Sequence, residues 1–355
     1  MNSHSLVQPL LDGSIDIVGD IHGEIEPLRS LLAHLGYKGG EHPKGRRLVF
    51  LGDLCDRGPD SVAVVTLVQD LVQRNVAQCI LGNHELNILR EDKKHGNHWI
   101  LEPSHRENTA EFACRTATPE ERALFMSFFR TLPLALERSD LRVVHATWND
   151  DAVHELRKSD ERNIEAFARH EAQMKRTLDE DGLVQAGKDQ LAPHKHALGD
   201  ENYAMPLLAM VGLCEEKRQM LNPVRVLTSG PERATTRQFF ATGKWRFCDR
   251  VKWWNEYSAE VPVIFGHYWR GNRESGDTSG GKPDLFAGSD SGDWLGPKRN
   301  VYCVDFSVGG RFRERQVRTQ RGIADSVPFA TRLGAVRWPE RDIVFDDGFT
   351  IPASR

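Results

Sequence analysis

Cysteine is scarce: six in 355 residues, at positions 55, 79, 114, 214, 248 and 303, with no C-x-x-C pair among them. That scatter argues against a disulfide framework or a thiolate zinc site, and a reducing, cytoplasmic setting is expected. Long apolar runs are also lacking. No stretch approaches the length needed to cross a bilayer. The opening MNSHSLVQPLLDGSIDIV has no basic flank ahead of an apolar segment, so neither a membrane span nor a signal peptide is expected. Excess positive charge is missing, since 47 Lys and Arg against 51 Asp and Glu leave −4. With no global field to hold a phosphate backbone, general nucleic-acid binding is not expected. Internal repeats and clean linkers are absent as well. What is present is 39% hydrophobic and 28% charged residues, the mix of a chain with a real core, and fourteen histidines, more than packing needs.

The first 90 residues repeat one theme. Apolar runs at Ile15–Val18, Leu48–Leu51 and Val76–Leu81 alternate with helical spacing at Leu28, Leu31, Leu32 and Leu35, then at Val64, Val65, Val68, Leu71 and Val72. Strand–helix–strand–helix–strand predicts a parallel sheet with right-handed crossovers, which places ligands beyond the carboxyl ends of its strands. Further strands are expected at Leu141–Val144, Val224–Leu227, Val261–Phe265, Val301–Asp305 and around Arg332–Trp338, and a helix over Pro119–Thr131. Residues from about 153 to 200 read as a charged helical insertion. Seven glycines within 271–299 predict a flexible loop there.

Chemistry collects where these strands end. Asp20 and His22 follow the first, Asp53 the second, Asn83 and His84 the third. His145 (VVHATW) and His267 (VIFGHYW) end two more. Carboxylates, an amide oxygen and imidazoles, with no thiolate, suit hard-to-borderline divalent ions. The set exceeds one coordination sphere and fits two metals sharing a carboxylate, the arrangement that clamps attacking and leaving oxygens in phosphoryl displacement.

The motifs GDIHG, GDLCDRG and GNHE, the strand-terminal His145 and the GH at 266–267 occur in that order, with 33 residues from Asp20 to Asp53 and 30 from Asp53 to Asn83. In this the sequence resembles the calcineurin-like metallophosphoesterases. It is most similar to the branch of serine/threonine phosphatases, their bacterial relatives and the symmetrical dinucleoside tetraphosphate hydrolases. NVYCVDFSVGG and LGAVRWPE resemble the closing strands of the bacterial members. The resemblance implies an α/β fold: a central β-sandwich flanked by helices in four layers (α/β/β/α), one domain over 1–355, with probable insertions at 95–140 and 150–220. It implies metal ligands at Asp20, His22, Asp53, Asn83, His145 and His267, with Asp53 bridging two divalent ions, manganese first and iron, zinc, nickel or cobalt as alternatives. Arg57 would grip a phosphate oxygen, with Arg250 or Arg225 as a second clamp, Arg250 preferred. His84, held by Asp56, would protonate the leaving alkoxide after direct attack by a water or hydroxide between the metals. Trp269 stands where looser relatives carry a further histidine, and Ala146-Thr147 replaces a Gly-Gly pair.

The expected activity is hydrolysis of phosphate monoesters in the manner of a serine/threonine phosphatase, on a phosphoprotein or small phosphoester. Alternatives are a symmetrical dinucleoside polyphosphate, a nucleotide or nucleic-acid end, or a metal-stabilised scaffold without catalysis. A single strand-end Asp is usually a helix cap, but three strand ends carrying Asp20, Asp53 and Asn83, with His22 and His84 beside two of them, are not. His95, His98, His105, His194 and His196 read as surface or structural histidines. Trp253 and Trp254 read as core aromatics, and Cys55 as a packing residue.

Overall fold

Short apolar runs become strands here because both faces of each are covered. The computed structural model describes residues 5–94, 96–101, 114–271, 284–324 and 327–353. In chain order the first half comprises β1 (Val7–Pro9), β2 (Ile15–Val18), α1 (Ile25–Leu35), β3 (Arg47–Phe50), α2 (Ser61–Gln73), β4 (Ala77–Cys79), α3 (Asn83–Leu89), α4 (His98–Leu101), α5 (Pro119–Thr131), β5 (Ala135–Arg138) and β6 (Leu141–Val144). There follow α6 (Asp150–Arg157), α7 (Asn163–Glu180), α8 (Leu183–Leu191), α9 (Ala209–Met220), α10 (Pro223–Ser229), β7 (Glu232–Ala241), β8 (Lys244–Arg250), β9 (Val263–Phe265), β10 (Val301–Cys303), α11 (Arg311–Arg321), β11 (Gly334–Trp338), β12 (Ile343–Phe345) and β13 (Thr350–Ile351).

Among the described residues the strands form two large mixed sheets. One runs β13-β12-β11-β2-β3-β4 and the other β1-β5-β6-β9-β10, with β7-β8 a separate hairpin. β2, β3 and β4 are parallel, as the alternating pattern requires, and so are β6, β9 and β10. The period of two sorts the side chains. Ile15, Ile17, Val49 and Leu51 face Val143, Ile264, Tyr302 and Val304 in a core between the sheets. Val18, Leu48 and Phe50 face the other way, into the helical layer with Leu28, Leu31, Val64 and Val68. This is the metallophosphoesterase-type sandwich flanked by helices.

Local signals set several boundaries. Gly36 ends α1 at φ 95° and its N–H returns to the helix carbonyls, a left-handed cap that costs glycine little. Asp60 caps α2, and Thr118 with Glu121 forms a capping box at α5, whose span matches the sequence expectation. Other expectations fail. Val224–Leu227 is not a strand but lies in helix α10, because Asn222 caps it, Pro223 starts it and Thr228 Oγ1 returns to the Val224 carbonyl at 2.7 Å. A four-residue, mostly apolar run such as Val-Arg-Val-Leu is too short for its period to tell the two apart. The β7-β8 hairpin was not anticipated; half-buried on both faces, it carries no clean alternation. α7 to α9 have a small core of their own, Met174, Leu178, Leu183 and Cys214. Of the glycine-rich segment, residues 272–283 lie outside the described residues, and so do His95 and His105. Trp253 and Trp254 are buried aromatics, Trp253 edge-on to Phe265 and Trp254 stacked on it.

Candidate metal centre

The carboxyl ends of β2, β3 and β4 in one sheet and β6, β9 and β10 in the other meet at one rim of the sandwich. The two sheets approach so closely there that glycine is required. A Cβ on Gly19 would lie 2.5 Å from the Val304 carbonyl oxygen, and one on Gly266 would overlap the Asp20 carboxylate.

Two loops, 19–24 and 52–58, are stitched together by their backbones. The N–H groups of Ile21 and His22 donate to the Asp53 carbonyl at 3.0 and 2.9 Å, and Gly58 N–H to the His22 carbonyl at 2.8 Å. Glu85, fully buried, secures the second loop: its carboxylate accepts the N–H of Asp53 at 2.9 Å, Leu54 at 2.8 Å and Gly82 at 3.0 Å. The stitching holds unfavourable backbone. His22, Asp53, Asp56, Arg57, His267 and Trp269 all have left-handed φ, between 29° and 73°. Such residues cost about 1–3 kcal/mol each and persist only where the surroundings fix them.

Asp53 stands at the middle. Its Oδ1 accepts the His84 amide at 2.9 Å and lies 3.4 Å from His145 Nε2, while Oδ2 lies 3.8 Å from His22 Nε2 and 3.9 Å from His84 Nε2. Asn83 Oδ1 is 3.2 Å from His145 Nε2. Asp20 accepts the His267 amide at 3.0 Å. Two clusters result, His22–Asp53–His84 and Asp53–His145–His267, each with its ligand atoms within 4.8 Å of one another and Asp53 shared. Asp20 stands outside both.

The donor set fits divalent metal. His145 Nδ1 donates to the Leu51 carbonyl at 2.6 Å and His22 Nδ1 to the Cys55 carbonyl at 3.1 Å, which turns each Nε2 toward the centre. His267 Nε2 is buried without a hydrogen-bond partner. Charge tells the same story. Burial pushes the Asp20 carboxyl well above its usual range, and Asp305 and Asp53 add to it. Burial also opposes ionisation of Asp53, but His145 and His84 outweigh it and hold that carboxyl well below its usual range. For His145 burial is outweighed by Asp53 and Asp20, lifting the imidazole to about 10. Burial, with Arg57 for His22 and Arg250 for His267, keeps those two well below the ordinary imidazole value. Buried carboxylates that hold one imidazole, His145, protonated while His22 and His267 stay neutral form a charge pattern that a bound divalent cation would replace.

Around this centre, Arg57 Nη1 and Nη2 reach His22 Nε2 at 2.9 Å and His84 Nε2 at 3.0 Å, and its guanidinium lies 5.1 Å from the Trp269 ring centre. His84 Nδ1 meets Asp56 Oδ2 at 2.6 Å. Arg250, at the end of β8, lies 5.3 Å from the Tyr268 ring centre and is near enough to act on His267. Arg225 is not brought to the centre. Its guanidinium is engaged by Glu171 at 2.9 and 3.1 Å and stacks on Phe167, because α10 packs on α7. The sequence reading passed over Glu85, visible as the last letter of GNHE, and Asp305, a strand-end Asp like the others. Trp99, against the site, carries no motif, and Gly309 lies in the NVYCVDFSVGG stretch, which by itself does not point to the site.

The calcineurin-like phosphoesterase family model matches residues 13–203, more than half of the chain. Bis(5'-nucleosyl)-tetraphosphatase PrpE [asymmetrical] of Oceanobacillus iheyensis is 36% identical over 138 residues, 37% of this chain and 54% of that protein. Its Bacillus subtilis counterpart is 36% identical over 148 residues, 39% and 59%. The chain thus spans little more than half the length of these curated relatives. Among solved structures, a cold-active protein-tyrosine phosphatase of a Shewanella species aligns with 98% of this chain and 83% of its own at 14% identity and a TM-score of 0.44. A protein serine/threonine phosphatase from Saccharomyces cerevisiae aligns with 45% and 49% at 22% identity and a TM-score of 0.33. On its motifs, its sandwich and the match over residues 13–203, the chain belongs to the calcineurin-like phosphoesterase family.

Proposed function

We propose that the chain is a two-metal phosphoester hydrolase in which Asp20, His22, Asp53, Asn83, His145 and His267 would hold the metals, with Asp53 common to both groups. The observation that carries this is the pair of buried His/Asp clusters joined at Asp53, with Arg57 and the His84–Asp56 pair beside them. Two divalent cations bound there supply Lewis-acid polarisation of the phosphoryl group and a water acidic enough to attack near neutral pH.

The chain's own residues do the rest. Arg57 presents a planar fork to a phosphoryl oxygen that is not displaced. Arg250 approaches from the hairpin as the second clamp. As the ester P–O bond breaks, the leaving oxygen keeps the bonding pair and takes the proton on His84 Nε2, while the attacking water forms the new P–O bond, leaves one proton on the phosphate and releases the other, which restores His84. The products are an alcohol and inorganic phosphate, with no phosphoenzyme. Although His84 lies in one of the two clusters, its Nδ1 is committed to Asp56, and we assign it to proton delivery.

The substrate in this reading is a phosphate monoester, as in serine/threonine phosphatases. The relatives named as asymmetrical tetraphosphatases favour a second substrate, a dinucleoside polyphosphate. Protein stripped of metal and supplied with Mn²⁺, Ni²⁺, Co²⁺ or Zn²⁺ is expected to hydrolyse p-nitrophenyl phosphate; no turnover with any of the four would refute the reading. Rates on a phosphoserine peptide and on diadenosine tetraphosphate then decide the substrate. His84→Asn is expected to cut turnover about 10²–10⁴-fold with metal content unchanged. Loss of metal instead would make His84 a ligand.

A further inference from the structure

The His84–Asp56 pair does not end at Asp56. While Oδ2 meets His84, Oδ1 accepts the indole N–H of Trp99 at 2.7 Å. Trp99 is fully buried on α4, 43 residues from Asp56 in sequence, and its ring packs against Phe125 of α5 at 6.1 Å. The segment before it is pressed onto the Asp56–Arg57 turn. Gly96 has φ 104°, and a Cβ there would lie 3.3 Å from Arg57 N and 3.5 Å from Asp56 Cβ. The Trp99 carbonyl is fixed in turn by the Ala117 N–H at 2.8 Å.

An indole at this position answers a specific need. Asp56 is 1% exposed, so bulk solvent does not reach its second oxygen. A carboxylate bonded through one oxygen alone can turn about Cβ–Cγ, and the imidazole it holds turns with it. A second donor from a rigid wall fixes the carboxylate plane. Tryptophan supplies one N–H and otherwise behaves as a large core residue. Phenylalanine would fill most of the space and leave Oδ1 unpaired.

We propose that Trp99 is a positioning residue for proton delivery: it fixes the plane of the Asp56 carboxylate, which aims His84 Nε2 at the leaving oxygen. This rests on the assignment of His84 as proton donor above. The readout that separates it from a merely structural role is leaving-group dependence. A poor leaving group needs the proton in the transition state, and a good one does not.

Trp99→Phe, Asp56→Asn, His84→Asn and the Trp99→Phe/Asp56→Asn double variant are compared on phenyl phosphate and 2,4-dinitrophenyl phosphate, with metal content and Tm recorded. Trp99→Phe is expected to lose at least about tenfold more turnover on phenyl phosphate than on 2,4-dinitrophenyl phosphate. It should add almost nothing to Asp56→Asn, because the two act through one carboxylate. Trp99→His, which keeps a ring N–H, should recover part of the loss. In zinc-loaded protein labelled with ¹⁵N, the Trp99 indole proton should resonate downfield and move upfield in Asp56→Asn. Equal losses on both substrates, additive losses in the double variant, or an indole proton indifferent to Asp56→Asn would overturn the proposal. The last measurement decides the matter if Trp99→Phe does not fold. If His84→Asn shows no leaving-group dependence, the proton-donor assignment fails as well. If it does and Trp99→Phe does not, only the role of Trp99 is lost.

Discussion

Gly309 offers a test of the site's geometry with a single methyl group. It lies in the one-turn 3-10 segment Val308–Gly310 that leads into α11, and it is buried. Its backbone is not left-handed, so alanine incurs no conformational penalty and only the added volume counts. A Cβ there would overlap His22 Cδ2 and stand 2.8 Å from Arg57 Nη1 and 2.9 Å from His22 Nε2. Ordinary contact begins at about 3.4 Å, so the guanidinium must retreat by roughly 0.6 Å and the imidazole by more. Neither group is free to do so. His22 is tied to the Cys55 carbonyl and Arg57 is flanked by His22, His84 and Trp269. Overpacking of this kind costs about 1–3 kcal/mol of stability. A displacement approaching 1 Å at a reacting centre costs up to about 10²-fold in rate. Gly309→Ala is therefore expected to lose about 10- to 100-fold in kcat/KM on p-nitrophenyl phosphate, with weakened metal retention by elemental analysis. Gly310→Ala is the control, since its Cβ would sit 3.4 Å from the Trp269 ring, at ordinary contact distance. Wild-type turnover and metal content in Gly309→Ala would show that His22 and Arg57 do not occupy the positions described.

Metal should stabilise as well as activate: at a free concentration one hundred times Kd, binding contributes about 2.7 kcal/mol, so a stripped protein whose Tm does not rise on adding Mn²⁺ would contradict the site. Arg250→Ala is expected to raise KM about tenfold or more, the worth of one charge-assisted bond. Arg225→Ala should leave KM within about twofold, because its guanidinium is taken by Glu171; the reverse result would exchange the two roles. Burial lifts the Cys114 thiol to about 11. It is therefore protonated at pH 8, and its maleimide labelling should be slow there and quicken about tenfold per pH unit toward 11, whereas fast labelling at pH 8 would refute the burial.

Much of the candidate site was legible because the residues proposed as ligands sit at strand ends, and strand ends can be read from short apolar runs followed by polar turns. Asp20, Asp53 and Asn83 close β2, β3 and β4, and the structure places them as that pattern requires. The parallel pairing of those strands follows from the helices between them. Val224–Leu227 is different: a four-residue, mostly apolar run fits a strand or a helix, and Asn222, Pro223 and burial against α7 decide for the helix. The hairpin that carries Arg250 has no period to detect, so which arginine approaches His267 was open until the chain was folded. The same holds for Trp99 and Gly309, which touch the centre across 43 residues and across 287 residues of chain respectively. The amino-acid sequence determined which chemical groups are available and on which turns they stand, because that is local. Only the tertiary structure decided what presses on them from behind, because contact between distant segments depends on how two sheets close against one another.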